Sequence, residues 1–193
     1  MTALRKTTIA LTPKAAPFAI RAERASDVVA REALLDACFG ENRSLRTCQR
    51  LRDGRAPAEG LAFSAMAEGH LVGTLRLWHV SAGGTRALML GPLAVDSTSR
   101  KLGVGTALLD HALAAATARG HRAVILLGDA PYYARFGFSA GKVTALALPG
   151  PFERNRLLGL ELSAGALDGA RGMIVATGAV ANVVRQASRA RAA

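Results

Sequence analysis

The sequence predicts a mixed α/β domain of the α+β kind: a central, mostly antiparallel sheet that includes a splayed parallel strand pair, with helices on its flanks. Three observations predict it. Between Leu61 and Val95, three apolar segments are joined by short glycine turns, as in an antiparallel meander. From Gly103 to about Arg119, apolar positions recur one helical turn apart. Ala123 to Leu127 is then an unbroken apolar run of strand length, the pattern of a strand buried on both faces and paired in parallel.

In chain order, residues 1–17 carry no regular period and form a leader or loose arm. Phe18 to Ala22 makes a first short strand. Ser26 or Asp27 caps a helix running to about Phe39, with Leu34/Cys38 and Leu35/Phe39 sharing a face and Gly40 as its stop. A second, more polar helix is expected from Ser44 to Arg52, and turn chemistry makes a loop of residues 53–57. Leu61, Phe63, Ala65 and Ala67 alternate along the first strand of the meander, which turns at Glu68-Gly69-His70. The second strand runs from Leu71 to Val80 with Leu71, Gly73, Leu75 and Leu77 on one face, and residues 81–84 turn again. The third strand, Thr85 to Val95, is interrupted by Gly91-Pro92. Proline has no N–H for a ladder, so it marks a bulge or an edge, and a bulge bends its strand away from the neighbour.

The following helix places Val104, Leu108, Ala112 and Ala115 along one stripe and stops at Gly120. Strand, helix and strand across 85–127 make a right-handed βαβ unit. A short helix over Pro131 to Phe136 ends at Gly137. Val143–Leu148, Leu157–Leu162 and Met173–Ala176 are later strands, and residues 181–193 form an Ala/Arg-rich tail. The domain itself is expected over 18–180.

Composition narrows the function classes. Of 193 residues, 25 are Lys or Arg against 14 Asp or Glu, a formal net charge of +11. Such an excess favours polyanionic partners, either nucleic acid or a cofactor such as CoA. Aromatics make up only 5%, which disfavours base stacking on a single-strand platform. No window reaches the length of a membrane span, and no signal segment precedes Pro13, so the cytoplasm is the expected compartment. Two cysteines make neither a disulfide framework nor a metal-ligand set, and Cys38 reads as a small buried hydrophobe. No metal is expected.

The stretch that carries chemistry is Arg100-Lys101-Leu102-Gly103-Val104-Gly105-Thr106 at a strand-to-helix turn. Glycines there let the backbone approach a ligand, and the first amides of the helix have no internal partners. They form a cradle for phosphate or pyrophosphate. It is neither a Walker A loop, because Thr106-Ala107 follows Gly105 with no lysine, nor a dinucleotide fingerprint, because Leu108 stands where a third glycine belongs. What remains is R-x-x-G-x-G, a generic glycine turn unless a second feature accompanies it. That feature is Tyr133-x-x-x-Gly137-Phe138 after the buried strand.

The bulged strand ending Leu93-Ala94-Val95, Arg100-x-x-Gly103-x-Gly105 opening a long helix, and Tyr133-x-x-x-Gly137-Phe138 occur in the order of the GNAT superfamily of N-acetyltransferases, which the sequence resembles from about Phe18 to Val143. The resemblance implies acetyl-CoA as acyl donor and transfer of its acetyl group to a primary amine by direct attack in a ternary complex. It further implies a pantetheine arm pairing with backbone near Leu93 and Val95, a pyrophosphate on the amides from Leu102 to Thr106, and Tyr133 as the acid that protonates the departing thiolate. A backbone N–H near Leu93 would polarise the thioester carbonyl. Many members carry a basic side chain just before the first glycine; here that position is Leu102 and the charge sits at Lys101.

The general base stays open between His79, Asp129 and a water relay, with Glu68 a weaker candidate. Tyr132 competes with Tyr133 but suits a wall of the cleft. Acceptor selectivity is expected from Cys38 to Arg55, the loop near Gly83 and the region after Ser139. There, Arg43, Arg46, Arg50 and Arg52 could meet an acidic substrate or form a solvated face. The acceptor is a small-molecule or protein amine, and a homodimer stays open. Two rival readings are a CoA-binding regulatory module without catalysis and a basic nucleic-acid-binding protein.

Overall fold

Two left-handed turns organise the meander. Glu68 and Gly69 take φ of 49° and 81°, and Gly83 and Gly84 take 58° and 96°. Two-residue turns of this hand match the twist of the strands they join. They fold β2 (Ala62–Ala67), β3 (His70–Ala82) and β4 (Thr85–Val95) into consecutive antiparallel neighbours. The computed structural model describes residues 17–181, so most of the expected arm and tail fall outside the described residues.

Around this meander lie β1 (Ala19–Ala22), α1 (Val28–Phe39), α2 (Val104–Ala118), β5 (Ala123–Leu127), α3 (Ala130–Ala134), β6 (Leu146–Ala147), β7 (Leu157–Glu161) and β8 (Gly172–Ala176). The sheet runs β1-β2-β3-β4-β5-β7, with β8 pairing the far end of β3 and β6 pairing β8. Strand β5 is parallel to β4 and antiparallel to β7. This is the predicted mixed α/β class, with a mostly antiparallel sheet, the parallel pair β4/β5 within it and a short parallel pairing of β6 with β8. Among the described residues no helix is long and apolar enough to cross a membrane.

The two faces of the sheet carry different cover. Leu75, Leu77, Leu88, Val124 and Leu126 meet Val104, Leu108, Leu109, Ala112 and Ala116 of α2. Each fully buried leucine here contributes about 2–3 kcal/mol. Gly73 sets how closely α2 can approach. A Cβ there would come within 2.8 Å of Val104 and 2.9 Å of Leu108. On the other face, Trp78, Val80, Met89 and Ile125 pack under the C-terminal segments, while Leu34 and Leu35 of α1 cover Ala94.

Gly91-Pro92 is the bulge the sequence announces. Leu75 pairs with Leu93 and Leu77 with Leu90, so Gly91 and Pro92 lie opposite Arg76 alone. Trp78 Nε1 donates to Gly91 O at 2.6 Å and holds the bulge in place. Beyond it the parallel pair separates: β4 and β5 register at Leu88/Val124 and Met89/Ile125, yet β4 continues to Val95 and β5 to Leu127.

Several local expectations are corrected. The helix expected over 44–52 is replaced by two 3-10 turns, Glu41–Leu45 and Thr47–Leu51, because Arg46 between them is extended (φ −67°, ψ 143°). The side chain of Asp27 does not cap α1; it accepts from Arg21 Nη1 and Nη2 at 2.7 and 2.8 Å, Ser64 Oγ at 2.9 Å and Arg24 N at 2.9 Å. A register shift near Met66 turns Leu71 to the α1 side, and Val72 takes its place beside the α2 core. On α2, Ala116 is buried where Ala115 was expected to be. The helix expected over 131–136 is limited to α3, and the strand expected over 143–148 shrinks to β6 behind a 3-10 turn capped by Ser139.

Candidate active site

The separation of β4 from β5 opens a cleft of about 590 Å³. Its walls are Leu90 to Leu93 from β4, Leu126 to Leu127 from β5, and Tyr132 and Tyr133 from α3. Phe39, the turns containing Arg43 to Arg52, and residues 151–153 with Arg156 close the opposite side.

Tyr133 is set by its neighbours. Asp129 accepts from Tyr132 N at 3.3 Å as the N-cap of α3, and proline follows within the first turn. The Tyr133 ring then lies over Gly128, where a Cβ would stand 2.3 Å from Cε2 and 2.8 Å from Cδ2. Phe138 and Tyr132 meet the ring edge-on at 5.8 and 5.0 Å. Burial pushes the phenol up to about 12, with Tyr132 and Asp129 acting in the same direction and Arg156 against it. The group is therefore protonated across the physiological range.

At the other end of the opened strands lies the glycine turn. Asp96 caps a single 3-10 turn, Lys101 and Gly103 take φ of 73° and 83°, and α2 begins at Val104. Leu102 N donates to Ser99 O at 3.3 Å, and Ala107 N donates to Gly103 O. The intervening amides of Gly103, Val104, Gly105 and Thr106 have no main-chain acceptor among the described residues. The Leu102 amide, expected among the open donors, is engaged by Ser99 O. Gly105 ties this turn to the cleft: a Cβ there would meet Tyr132 Oη at 3.0 Å and Val95 Cγ2 at 3.5 Å.

The remaining predicted residues divide. Leu93 lines the cleft, Ala94 is buried against α1, and Val95 packs beside Gly105. Arg100, Lys101 and Leu102 are exposed on the turn. Cys38 is half-buried and not purely apolar in its contacts, because its thiol donates to Val95 O at 3.4 Å. His79 is not on the cleft; its ring lies 5.3 Å from that of His121. Glu68 sits in the β2–β3 turn, also outside the cleft. Asp129 lines the cleft while its carboxylate caps α3. Of the expected acceptor regions, the Gly83 loop packs against Arg171, away from the site. The sequence points to the region after Ser139 but not to Phe152 or Arg156 within it; Phe152 lies in irregular chain and Arg156 in a single 3-10 turn before β7, neither of which leaves a periodic signal. Among the described residues no group of three or more His, Cys, Asp or Glu side chains gathers in metal-binding proximity.

Comparison with known proteins agrees with this geometry. The model of the Acetyltransferase (GNAT) family matches residues 29–138. The chain is 29% identical over 157 residues to the uncharacterized N-acetyltransferase YhbS of Escherichia coli K12, covering 80% of this chain and 93% of that one. The crystal structure of the E. coli YhbS protein in complex with CoA superposes with a TM-score of 0.73 at 27% identity, covering 87% of this chain and 94% of the other. A GNAT family acetyltransferase from Brucella melitensis, in complex with acetyl-CoA, shares the fold with a TM-score of 0.64 at 24% identity, over 83% of this chain and 96% of that one.

Proposed function

Because the chain belongs to the GNAT family of acetyltransferases, we propose that it transfers an acetyl group from acetyl-CoA to a primary amine by direct attack in a ternary complex. The observation that carries this is the row of open amides at Gly103 to Thr106 beside a sheet separated past Met89 and Ile125. Those four donors, at the positive end of α2, suit a diphosphate. The gap between β4 and β5 leads from them to Tyr133 and admits a thioester arm along Leu93. The CoA complex of the E. coli relative supports the same donor.

The acceptor nitrogen attacks in its neutral form. A C–N bond forms at the thioester carbonyl, the C–S bond breaks, the nitrogen sheds a proton and the sulfur gains one. Tyr133 stands at the cleft wall as the donor to sulfur. A thiol titrates near 8.5, so full transfer from a phenol at about 12 is uphill by roughly 4–5 kcal/mol. The phenol therefore acts by hydrogen-bonding the departing sulfur, while the proton shed by the amine closes the balance. With Asp129 committed to α3 and His79 outside the cleft, a water relay is the base this geometry favours. Holding both reactants in one cleft supplies much of the rate.

Release of free thiol from acetyl-CoA across a panel of primary amines tests the reading. Tyr133→Phe, which removes one hydrogen-bond donor to the developing thiolate, is expected to lower the rate by about 10²–10³-fold. Equal rates in the two proteins remove Tyr133 from the mechanism, and no thiol release with any amine removes the reaction.

A further inference from the structure

Four arginines line the cleft, and three of them are engaged. Arg43 pairs with Asp36 at 2.6 Å and with Glu32. Arg46 lies over the Phe39 ring at 5.1 Å and donates to Phe39 O. Arg156 donates to Gly128 O at 3.4 Å and faces Glu153 at 3.7 Å. Arg52 is different. It is half-buried, and its one side-chain hydrogen bond among the described residues runs from Nε to Cys48 O at 3.1 Å. Its Nη1 points toward the strand opening, 4.0 Å from where a Cβ of Gly91 would be. Burial pushes its pKa down, against Cys48 and Asp53, and the charges of Arg43 and Arg46 add to the lowering.

A half-buried guanidinium whose η nitrogens lack a carboxylate is an anion-binding fork waiting for its partner. It lies at the Gly91 bulge, on the side of the cleft opposite the Tyr133 wall. From this we propose that Arg52 binds a carboxylate of the acceptor, so that the amine acetylated by this protein is an amino acid or another amine bearing a carboxylate near its nitrogen. The inference rests on the acetyl-transfer reading and specifies its substrate class. The two η nitrogens of Arg52, with no protein acceptor among the described residues, present a planar fork that suits a carboxylate bound through both oxygens. The apolar walls from Phe39, Leu90, Pro92 and Phe152 leave room for an uncharged remainder.

The test measures kcat/KM by thiol release for the common L-amino acids, each against its own carboxamide. Wild type is expected to favour the acid form of its best acceptor by about tenfold to a hundredfold. Arg52→Leu collapses that ratio toward one, and Arg52→Lys, which keeps the charge but not the fork, falls between. Arg86→Gln retains the wild-type ratio, because Arg86 is exposed on β4 outside the cleft. Heat protection by acetyl-CoA in Arg52→Leu shows that the variant is folded; if that variant does not fold, Arg52→Lys alone carries the test. An acid-to-carboxamide ratio near one in wild type, or the same ratio in wild type and the Arg52 variants, overturns the proposal while leaving acetyl transfer intact. Absence of transfer to every amine overturns both.

Discussion

Replacing Gly128 by alanine should disable the site through Tyr133 without touching any polar group. The new Cβ would stand 2.3 Å from Cε2 of the ring, and ordinary contact begins near 3.4 Å, so the ring must retreat by about 1 Å. Gly128 does not use left-handed backbone, so alanine brings no backbone strain of its own. Its other close neighbour, Leu126 Cδ1 at 3.0 Å, is the end of a flexible side chain. Overpacking of this kind costs about 1–3 kcal/mol of stability. A displacement of about 1 Å at a reacting group costs about 10²-fold in rate, or about 2.7 kcal/mol of transition-state stabilisation.

The assay is kcat/KM for thiol release in a double-mutant cycle with Tyr133→Phe. If Gly128 acts only by seating the phenol, the double variant is no slower than Tyr133→Phe alone. Losses that multiply would show that Gly128 acts elsewhere, and a wild-type rate for Gly128→Ala would show that the ring's position does not matter.

Three further outcomes follow from the same geometry. Leu102 is 52% exposed where related sequences often carry a base, so Leu102→Arg should tighten acetyl-CoA binding by about two- to fivefold in titration calorimetry, without raising kcat. Asp27→Asn breaks a paired, 6% exposed carboxylate and should cost about 2–4 kcal/mol in thermal melts. Arg21 holds the Asp27 carboxyl well below the usual carboxylate range. That stability is therefore present above about pH 4 and fades as pH falls through the acid range, a dependence the variant should largely lose. Finally, the Tyr133 phenol stays protonated to about 12, so kcat/KM should rise with pH as the acceptor amine is deprotonated. A falling limb below pH 10 that vanishes in Tyr133→Phe would contradict that assignment.

Much of the fold was legible because glycine and proline mark it. The two hairpin turns need positive φ at adjacent residues, Gly91-Pro92 interrupts the ladder, and Gly103 opens α2. The run from Ala123 to Leu127 announced a strand buried on both faces, and the order of these features located both the amide turn and Tyr133. The misses came from long-range contacts. Asp27 is a plausible cap in sequence, yet Arg21 on the preceding strand and Ser64, 37 residues along the chain, claim its oxygens. Residues 44–52 have helical composition, but Thr47 Oγ1 donates to Pro151 O and Arg50 to Pro149 O, and these tie the turns to a distant loop. That same tie builds the far wall of the cleft from Phe152 and Arg156. His79 looked suitable because of its residue type and its place at the end of a central strand, yet it lies off the cleft beside His121.

The central claim is that open main-chain donors at Gly103 to Thr106 grip the diphosphate of the acyl donor. Melting the protein with acetyl-CoA and, separately, with S-acetylpantetheine, which has the thioester arm but no diphosphate, tests it directly. At a hundred times its dissociation constant, acetyl-CoA should raise the melting temperature by about 5–10 °C, and the truncated donor at the same concentration should raise it far less. Equal shifts from the two compounds, or no shift from acetyl-CoA, would contradict the claim.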